Sequence, residues 1–155
     1  MLRRIQVTVN GVERFAEVED HKTLLWLLRE KFKLKGTKHG CDRGDCGLCT
    51  VLLNGKPVKS CLVLAAEVDG STILTVEGLA RNGELTPVQK SFIKHGALQC
   101  GICTPAFVIM GHWLVQNEKK LDRERVADAL DGILCRCTGY RQIIDAIIDA
   151  ASGTG

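Results

Sequence analysis

Apolar and polar residues alternate at the start of the chain. The alternation runs from Ile5 to Val9 and again from Val12 to Val18, with Asn10-Gly11 between the two runs. Strict alternation buries one face of a strand, and Asn-Gly is a strong signal for a two-residue hairpin turn. The first 20 residues are therefore predicted to form a β-hairpin.

The spacing of apolar residues becomes helical after this hairpin. Thr23 can cap a helix and Gly36 is predicted to end it. Its apolar positions recur every three or four residues: Leu24, Leu25, Leu27, Leu28 and Phe32.

A second hairpin is predicted over residues 50–58, where Asn54-Gly55 separates two further apolar runs. Pro57 has no backbone N–H, so this second arm is expected at a sheet edge or at the start of a strand. Short strands are also predicted over residues 61–66 and 72–76. With the first hairpin and the helix, they predict a small mixed sheet packed on a helix.

Helical patterns dominate the rest of the chain. Thr86-Pro87 and Thr104-Pro105 each place an N-cap before a proline at the first helical position. Asp122 can cap a third helix, and a fourth is predicted to begin near Tyr140. Four helices of about 10–13 residues with short connections predict a compact bundle. The expected class is α+β, with domains at residues 1–76 and 77–155.

Composition narrows the class of protein. The 155 residues are 45% hydrophobic and 25% charged, with a net charge of +3, which are ordinary globular values. Aromatic residues are only 5%, so the stacking surface of a nucleic-acid binder is not expected. No secretory signal and no apolar run of membrane-spanning length is visible. A cytoplasmic protein is expected.

Three cysteines lie close together in a glycine-rich stretch and a fourth follows. Their spacing is C-x4-C-x2-C…C, from Cys41, Cys46 and Cys49 to Cys61. This is the plant-type spacing that holds a [2Fe–2S] cluster with four thiolates. Interleaved glycines permit the unusual φ values and close approach that such a loop needs.

The second cysteine set lies in two predicted helix connections. Cys100 and Cys103 fall between the first and second helices, and Cys135 and Cys137 fall between the third and fourth. Two facing helical hairpins can therefore present four thiolates at one end of the bundle. Spacing alone leaves zinc and iron–sulfur open for this set, although Cys135-Arg136-Cys137 is tighter than a usual zinc knuckle.

Three segments together resemble the small iron–sulfur subunit of the molybdenum hydroxylases, the xanthine oxidase family. They are Gly40–Val51, Gln99–Pro105 and Leu134–Tyr140, and the likeness extends over nearly the whole chain. The resemblance implies a β-grasp ferredoxin-like domain followed by a four-helix bundle with pseudo-two-fold symmetry. It also implies one [2Fe–2S] cluster in each domain, which decides against zinc.

The resemblance also implies partners and an electron path. A large subunit would carry a molybdenum–pterin cofactor of the cytosine dinucleotide type, a medium subunit would carry FAD, and the assembly would be a dimer of heterotrimers. Gln99 and Cys137 match the pterin-contacting positions, so the second cysteine set would be proximal to molybdenum and the first distal. Electrons would pass from the proximal to the distal cluster, and this chain would hold no catalytic residue.

Three positions depart from the usual family pattern: Asp45, Leu48 and Ala106 stand where Glu, Ala and Gly are common. None of them removes a proposed ligand. Two other functions remain open from the residues alone. A free-standing two-cluster ferredoxin-type carrier would leave Gln99 without a role, and a zinc-stabilised interaction module would explain only the second cysteine set.

Overall fold

The computed structural model describes residues 1–153, so the last two residues of the predicted second domain lie outside it. Five strands form one sheet in the order β2-β1-β5-β3-β4. Their bounds are β1 Leu2–Val9, β2 Val12–Glu19, β3 Thr50–Leu53, β4 Lys56–Lys59 and β5 Thr72–Leu74.

Both predicted hairpins are confirmed. Strands β1 and β2 pair antiparallel with Val9 opposite Val12, and β3 and β4 pair with Leu53 opposite Lys56. Strand β5 joins them, because it runs parallel to β1 and antiparallel to β3. Strand β4 is an outer strand, so Pro57 lies at a sheet edge as predicted.

The strand predicted over residues 61–66 is wrong. This stretch forms two short 3-10 helices, Ser60–Leu62 and Ala65–Val68. Its polar groups bond to other elements, since the Ser60 hydroxyl donates to the Cys49 carbonyl and the Ala65 N–H donates to the Lys22 carbonyl. These contacts draw the chain toward the cysteine loop and the first helix instead of along a strand.

The first helix begins as predicted and ends early. Thr23 caps α1 (Leu24–Trp26), which continues as a π-helix over Leu27–Lys31. Lys33 has a φ of +59°, which breaks the helix before Gly36. Gly36 instead allows a close approach, because a Cβ there would lie 2.4 Å from Val76 Cγ1.

Four further helices follow a short 3-10 helix at Val76–Gly78: α2 Pro87–Lys94, α3 Thr104–Asn117, α4 Arg123–Leu130 and α5 Arg141–Ser152. Thr86 and Asp122 cap α2 and α4 with their side chains, as predicted. Two apolar residues of the helical half, Ile93 and Leu134, are 64% and 54% exposed. None of the helices within residues 1–153 is long and apolar enough to cross a membrane.

The sheet and the helices share a boundary. Leu52 of β3 is buried in the hydrophobic core formed mainly by α2 to α5, and Leu48 packs against the same core. The Trp113 indole N–H of α3 donates to the Gly55 carbonyl at 3.0 Å, in the β3–β4 turn. The cysteine loop before β3 is therefore held against the helical half.

Candidate iron–sulfur centres

The first cysteine loop, residues 39–49, contains no strand or helix. Gly44 and Gly47 have φ values of +84° and +68°, in the region that favours glycine. Gly40 is needed for space, because a Cβ there would lie 2.6 Å from the Cys46 sulfur. The glycines thus let the backbone curl closely around the thiols, as the sequence predicts.

The four thiols of the first set come together in two pairs. Cys46 N–H donates to the Cys41 sulfur at 3.4 Å, and the Cys61 thiol contacts that of Cys49. Cys49 and Cys61 are only 2% and 7% exposed and pack with Leu25. This set is assembled by the loop and by the 3-10 helix that follows β4.

The thiols of the first set differ in their electrostatic surroundings. Backbone N–H groups of Arg43 and Cys46 lower the pKa of the Cys41 thiol to about 6. Burial raises the pKa of Cys61 to about 11 and raises that of Cys46. Because a thiolate is the form that binds metal, these N–H donors favour the ligating form of Cys41.

The second set is also brought together in pairs, from two helix connections. The sulfurs of Cys100 and Cys137 lie 3.6 Å apart, and the Cys103 thiol contacts that of Cys135. Cys100 and Cys137 are exposed, whereas Cys103 is 8% exposed and immediately precedes α3. All four thiols come from the α2–α3 and α4–α5 connections.

Hydrogen bonds distinguish the two thiols of the Cys103–Cys135 pair. Burial raises the pKa of Cys103 to about 12. Burial acts in the same direction on Cys135, but the hydroxyl and N–H of Thr138, at 3.1 and 3.4 Å, outweigh it and lower the pKa of that thiol. Both sets therefore combine a thiol whose pKa is lowered by hydrogen bonds with a thiol whose pKa is raised by burial.

The pairing suits a two-iron cluster. Each iron of a [2Fe–2S] cluster takes two protein ligands, whereas a structural zinc ion takes four ligands around a single position. The eight thiols can hold two [2Fe–2S] clusters, one for each set of four.

Two polar side chains organise the second set. Gln99 is exposed and its amide nitrogen donates to the Cys137 carbonyl at 3.1 Å. Tyr140 is a residue whose role the sequence did not reveal. Its hydroxyl accepts from the Cys135 N–H at 3.0 Å and donates to the Ile133 carbonyl, which fixes the loop.

Tyr140 has two other unusual features. Its ring meets that of Phe107 edge-on at 5.9 Å, and its φ is +69°. A lone tyrosine just after a cysteine pair is the signal that could have suggested its role.

The two cysteine loops contact each other directly. The Leu134 N–H donates to the Cys46 carbonyl at 2.9 Å. Beside this bond, Gly47 lies so close to Gly132 that a Cβ would come within 2.1 Å of the Gly132 carbonyl oxygen. Each loop therefore positions the other.

The three departures from the family pattern take different places. Asp45 is exposed and pairs with Arg43, and Leu48 packs on the helical core instead of facing solvent. Ala106 is buried in the first turn of α3, where alanine is accepted.

Comparison with known proteins agrees with this geometry. A 2Fe-2S iron-sulfur cluster binding domain matches residues 7–84, and a [2Fe-2S] binding domain matches residues 75–148. The nicotine 6-hydroxylase small subunit of Paenarthrobacter nicotinovorans is 46% identical over 97% of this chain and 91% of its own. The chain belongs to the small iron–sulfur subunits of the molybdenum hydroxylases.

Other similarities cover the whole small iron–sulfur subunit. The 6-hydroxypseudooxynicotine dehydrogenase complex subunit beta of the same organism is 47% identical, over 95% of this chain and 92% of that one. A chain of quinoline 2-oxidoreductase from Pseudomonas putida 86 superposes with a TM-score of 0.94 at 44% identity, covering 98% of this chain and 95% of that one. The small subunit has both [2Fe–2S] domains and serves in electron transfer as a non-catalytic part of an oxidoreductase.

Proposed function

We propose that this chain passes electrons from a large molybdenum–pterin subunit to a flavin or another acceptor. Cys100, Cys103, Cys135 and Cys137 form the proximal site, and Cys41, Cys46, Cys49 and Cys61 form the distal site. Each [2Fe–2S] cluster supplies a one-electron redox couple when bound. One hydrogen bond carries the proposal. The Leu134 N–H donates to the Cys46 carbonyl at 2.9 Å, and this bond connects the two cysteine loops directly.

The surroundings of the proximal thiols support a partner on that side. Cys100 and Cys137 are exposed, and three apolar residues near the proximal cysteines in the chain are exposed with them. Leu98, Ile102 and Leu134 are 43%, 51% and 54% exposed. Exposed apolar residues grouped around a redox site are typical of a protein contact surface. We assign this surface to the large molybdenum subunit.

Gln99 and Cys137 are proposed to contact the pterin, of the cytosine dinucleotide type. The bond from the Gln99 amide to the Cys137 carbonyl holds these two exposed groups together at the proximal site. A side chain in this place can orient a cofactor edge while the thiolate holds the iron.

We also propose an assignment for the two domains of the chain. The sheet half is assigned as a β-grasp domain of residues 1–76, and residues 77–155 as a four-helix bundle with pseudo-two-fold symmetry. Equivalent placement of a thiol pair in the α2–α3 and α4–α5 connections supports that symmetry. We further propose a medium FAD subunit, a dimer of heterotrimers and a cytoplasmic location.

The partner is proposed to act on an N-heteroaromatic substrate. The names of two similar proteins, nicotine 6-hydroxylase and quinoline 2-oxidoreductase, each specify such a ring. The test is to assay the purified complex with a pyridine or quinoline and with an aldehyde. Turnover of the aldehyde alone would reject this substrate class.

The function itself is tested on the native complex. Two [2Fe–2S] clusters require about four irons and four labile sulfides per chain. The chain is expected to co-purify with a molybdenum-containing subunit. Stoichiometric zinc with little iron would overturn the proposal, and a chain that runs alone with both clusters would favour the free-standing ferredoxin-type carrier.

The role of Gln99 is tested by Gln99→Ala in the complex. Reduction of the clusters by substrate is expected to slow while both cluster spectra persist. Gln89→Ala is a control, because Gln89 serves the α2 cap and lies outside the two cysteine loops. Loss of the proximal spectrum in Gln99→Ala would make Gln99 structural instead.

A further inference from the structure

Lys59 places a positive charge against the distal cysteine loop. It is the last residue of β4, two positions before Cys61, and it is half-buried. Its ammonium group donates a hydrogen bond to the Gly44 carbonyl, between Cys41 and Cys46. The outer strand of the sheet is thus tied to the middle of the loop.

The same ammonium group also lies beside the turn that precedes the proximal cysteines. A Cβ on Gly132 would lie 3.5 Å from Lys59 Nζ and 3.8 Å from Cε. Gly132 in turn packs against Gly47 of the distal loop. Lys59 is therefore placed where the two loops meet, and its long side chain spans their junction.

The charge of Lys59 is not paired with a carboxylate. The ammonium group bonds a neutral carbonyl, and within residues 1–153 its side chain has no ion pair. Arg43, the arginine within the loop, is instead paired with Asp45. The Lys59 charge is therefore not neutralised by direct contact with an acidic side chain.

We propose that Lys59 is a positioning residue that holds the distal loop against the Gly132 turn and raises the reduction potential of the distal site. The inference rests on the proposed function. Four thiolates make the site negative and reduction adds a further negative charge, so a nearby uncompensated cation stabilises the reduced form. Raising the distal potential favours electron flow from the proximal to the distal site.

The test is a redox titration of the purified complex carrying Lys59→Met, followed by EPR. The two signals are assigned beforehand with Cys61→Ala and Cys103→Ala. At a fixed solution potential, the ratio of reduced to oxidised distal cluster is expected to fall on the order of fivefold, while that of the proximal cluster is unchanged. Lys56→Met is the matched control, because it removes an exposed lysine from the same strand.

Two further variants separate charge from mechanical support. Lys59→Gln keeps a hydrogen-bond donor without the charge and is expected to lower the distal ratio like Lys59→Met. Lys59→Arg keeps the charge and is expected to stay near wild type. An unchanged distal ratio in both neutral variants, an equal shift in Lys56→Met, or loss of the distal cluster from both neutral variants would overturn the proposal. A wild-type complex without two clusters would instead refute the proposed function, before any variant is compared.

Discussion

The distal and proximal cysteine sites each bring four thiols together, but they do so by different structural means. Three of the four distal cysteines lie within nine residues of one loop, and glycines allow it to curl. The proximal site joins two helix connections whose cysteines are more than thirty residues apart. The distal site therefore depends on local conformation, and the proximal site depends on how the helices pack.

Exposure follows the same division. Cys49 and Cys61 are almost fully buried within the sheet half, whereas Cys100 and Cys137 are open to the surface. Burial excludes water from Cys49 and Cys61 without help from another chain. Cys100 and Cys137 require a partner for the same protection, which fits their proposed place next to the molybdenum subunit.

The largest expected effect comes from removing one buried cysteine in each site. Cys61→Ala and Cys103→Ala should each lower the iron content from about four to about two per chain. The distal EPR signal should persist in Cys103→Ala and the proximal signal in Cys61→Ala, since each site has its own ligands. Iron analysis and EPR of the purified complex test this, and loss of both signals from either variant would show that the sites are not independent.

The contact between the loops is tested by Gly47→Ala. The new Cβ would meet the Gly132 carbonyl and the residue would keep a positive φ, so we expect a loss of about 3 kcal/mol or more in unfolding free energy. Gly101→Ala is the control, because Gly101 also has a positive φ but has no atom within 4 Å of an added Cβ. The control should lose about 1–2 kcal/mol. If urea unfolding shows the same loss of unfolding free energy in both variants, the contact between the loops does not explain the effect of Gly47→Ala.

A smaller effect is expected from Tyr140→Phe. Removing the hydroxyl leaves the Cys135 N–H and the Ile133 carbonyl without their partner, at a cost of about 1–2 kcal/mol. The proximal cluster should be lost faster to an iron chelator, while the distal cluster is unaffected.

Ser91→Ala is a useful comparison for Tyr140→Phe. It also removes a hydroxyl that bonds a carbonyl, that of Ala146, but away from the thiols. Stability should fall with no change in cluster loss. If both variants lose the proximal cluster at the same rate, the role assigned to Tyr140 is wrong.

The smallest expected effect concerns Asp149, far from the distal loop in chain position. The Lys94 ammonium, His95 and the Ser91 hydroxyl lower the pKa of this α5 carboxyl to about 2. A lowered pKa in the folded state gives stability that is present above the ordinary value of 3.8 and is lost as the pH falls toward 2.

The pH dependence is measured as a difference between wild type and Asp149→Asn. Their unfolding free energies, from urea unfolding by circular dichroism, should differ at pH 6 and converge between pH 4 and pH 2. Loss of iron in acid affects both proteins, so it cancels in the difference. A difference that stays constant with pH would mean that the carboxyl charge does not link α2 to α5.

Local features of the sequence were enough for much of the fold. Alternation and Asn-Gly turns predicted both hairpins, and the caps at Thr86 and Asp122 predicted helix starts. Each depends on residues a few positions apart, so its physical cause is contained in a short segment. The two cysteine sets were identified for the same reason, because the spacing between the cysteines can be counted in the sequence.

Long-range contacts explain what the sequence could not determine. The stretch after Ser60 became 3-10 helices because its polar groups bond to Cys49 and Lys22. Ile93 and Leu134 are apolar, but no other element within residues 1–153 covers them, and both are exposed.

The relation between the two sites was decided only by tertiary structure. The sequence alone determined that eight cysteines form two sets and which residues belong to each. Packing of the sheet on the helices brought the Cys46 carbonyl to the Leu134 N–H and Gly47 to Gly132. It also carried the Lys59 ammonium to the Gly44 carbonyl. These groups are distant along the chain, so no local sequence pattern predicts their contacts. The contacts form because the sheet and the helices bury a shared hydrophobic core.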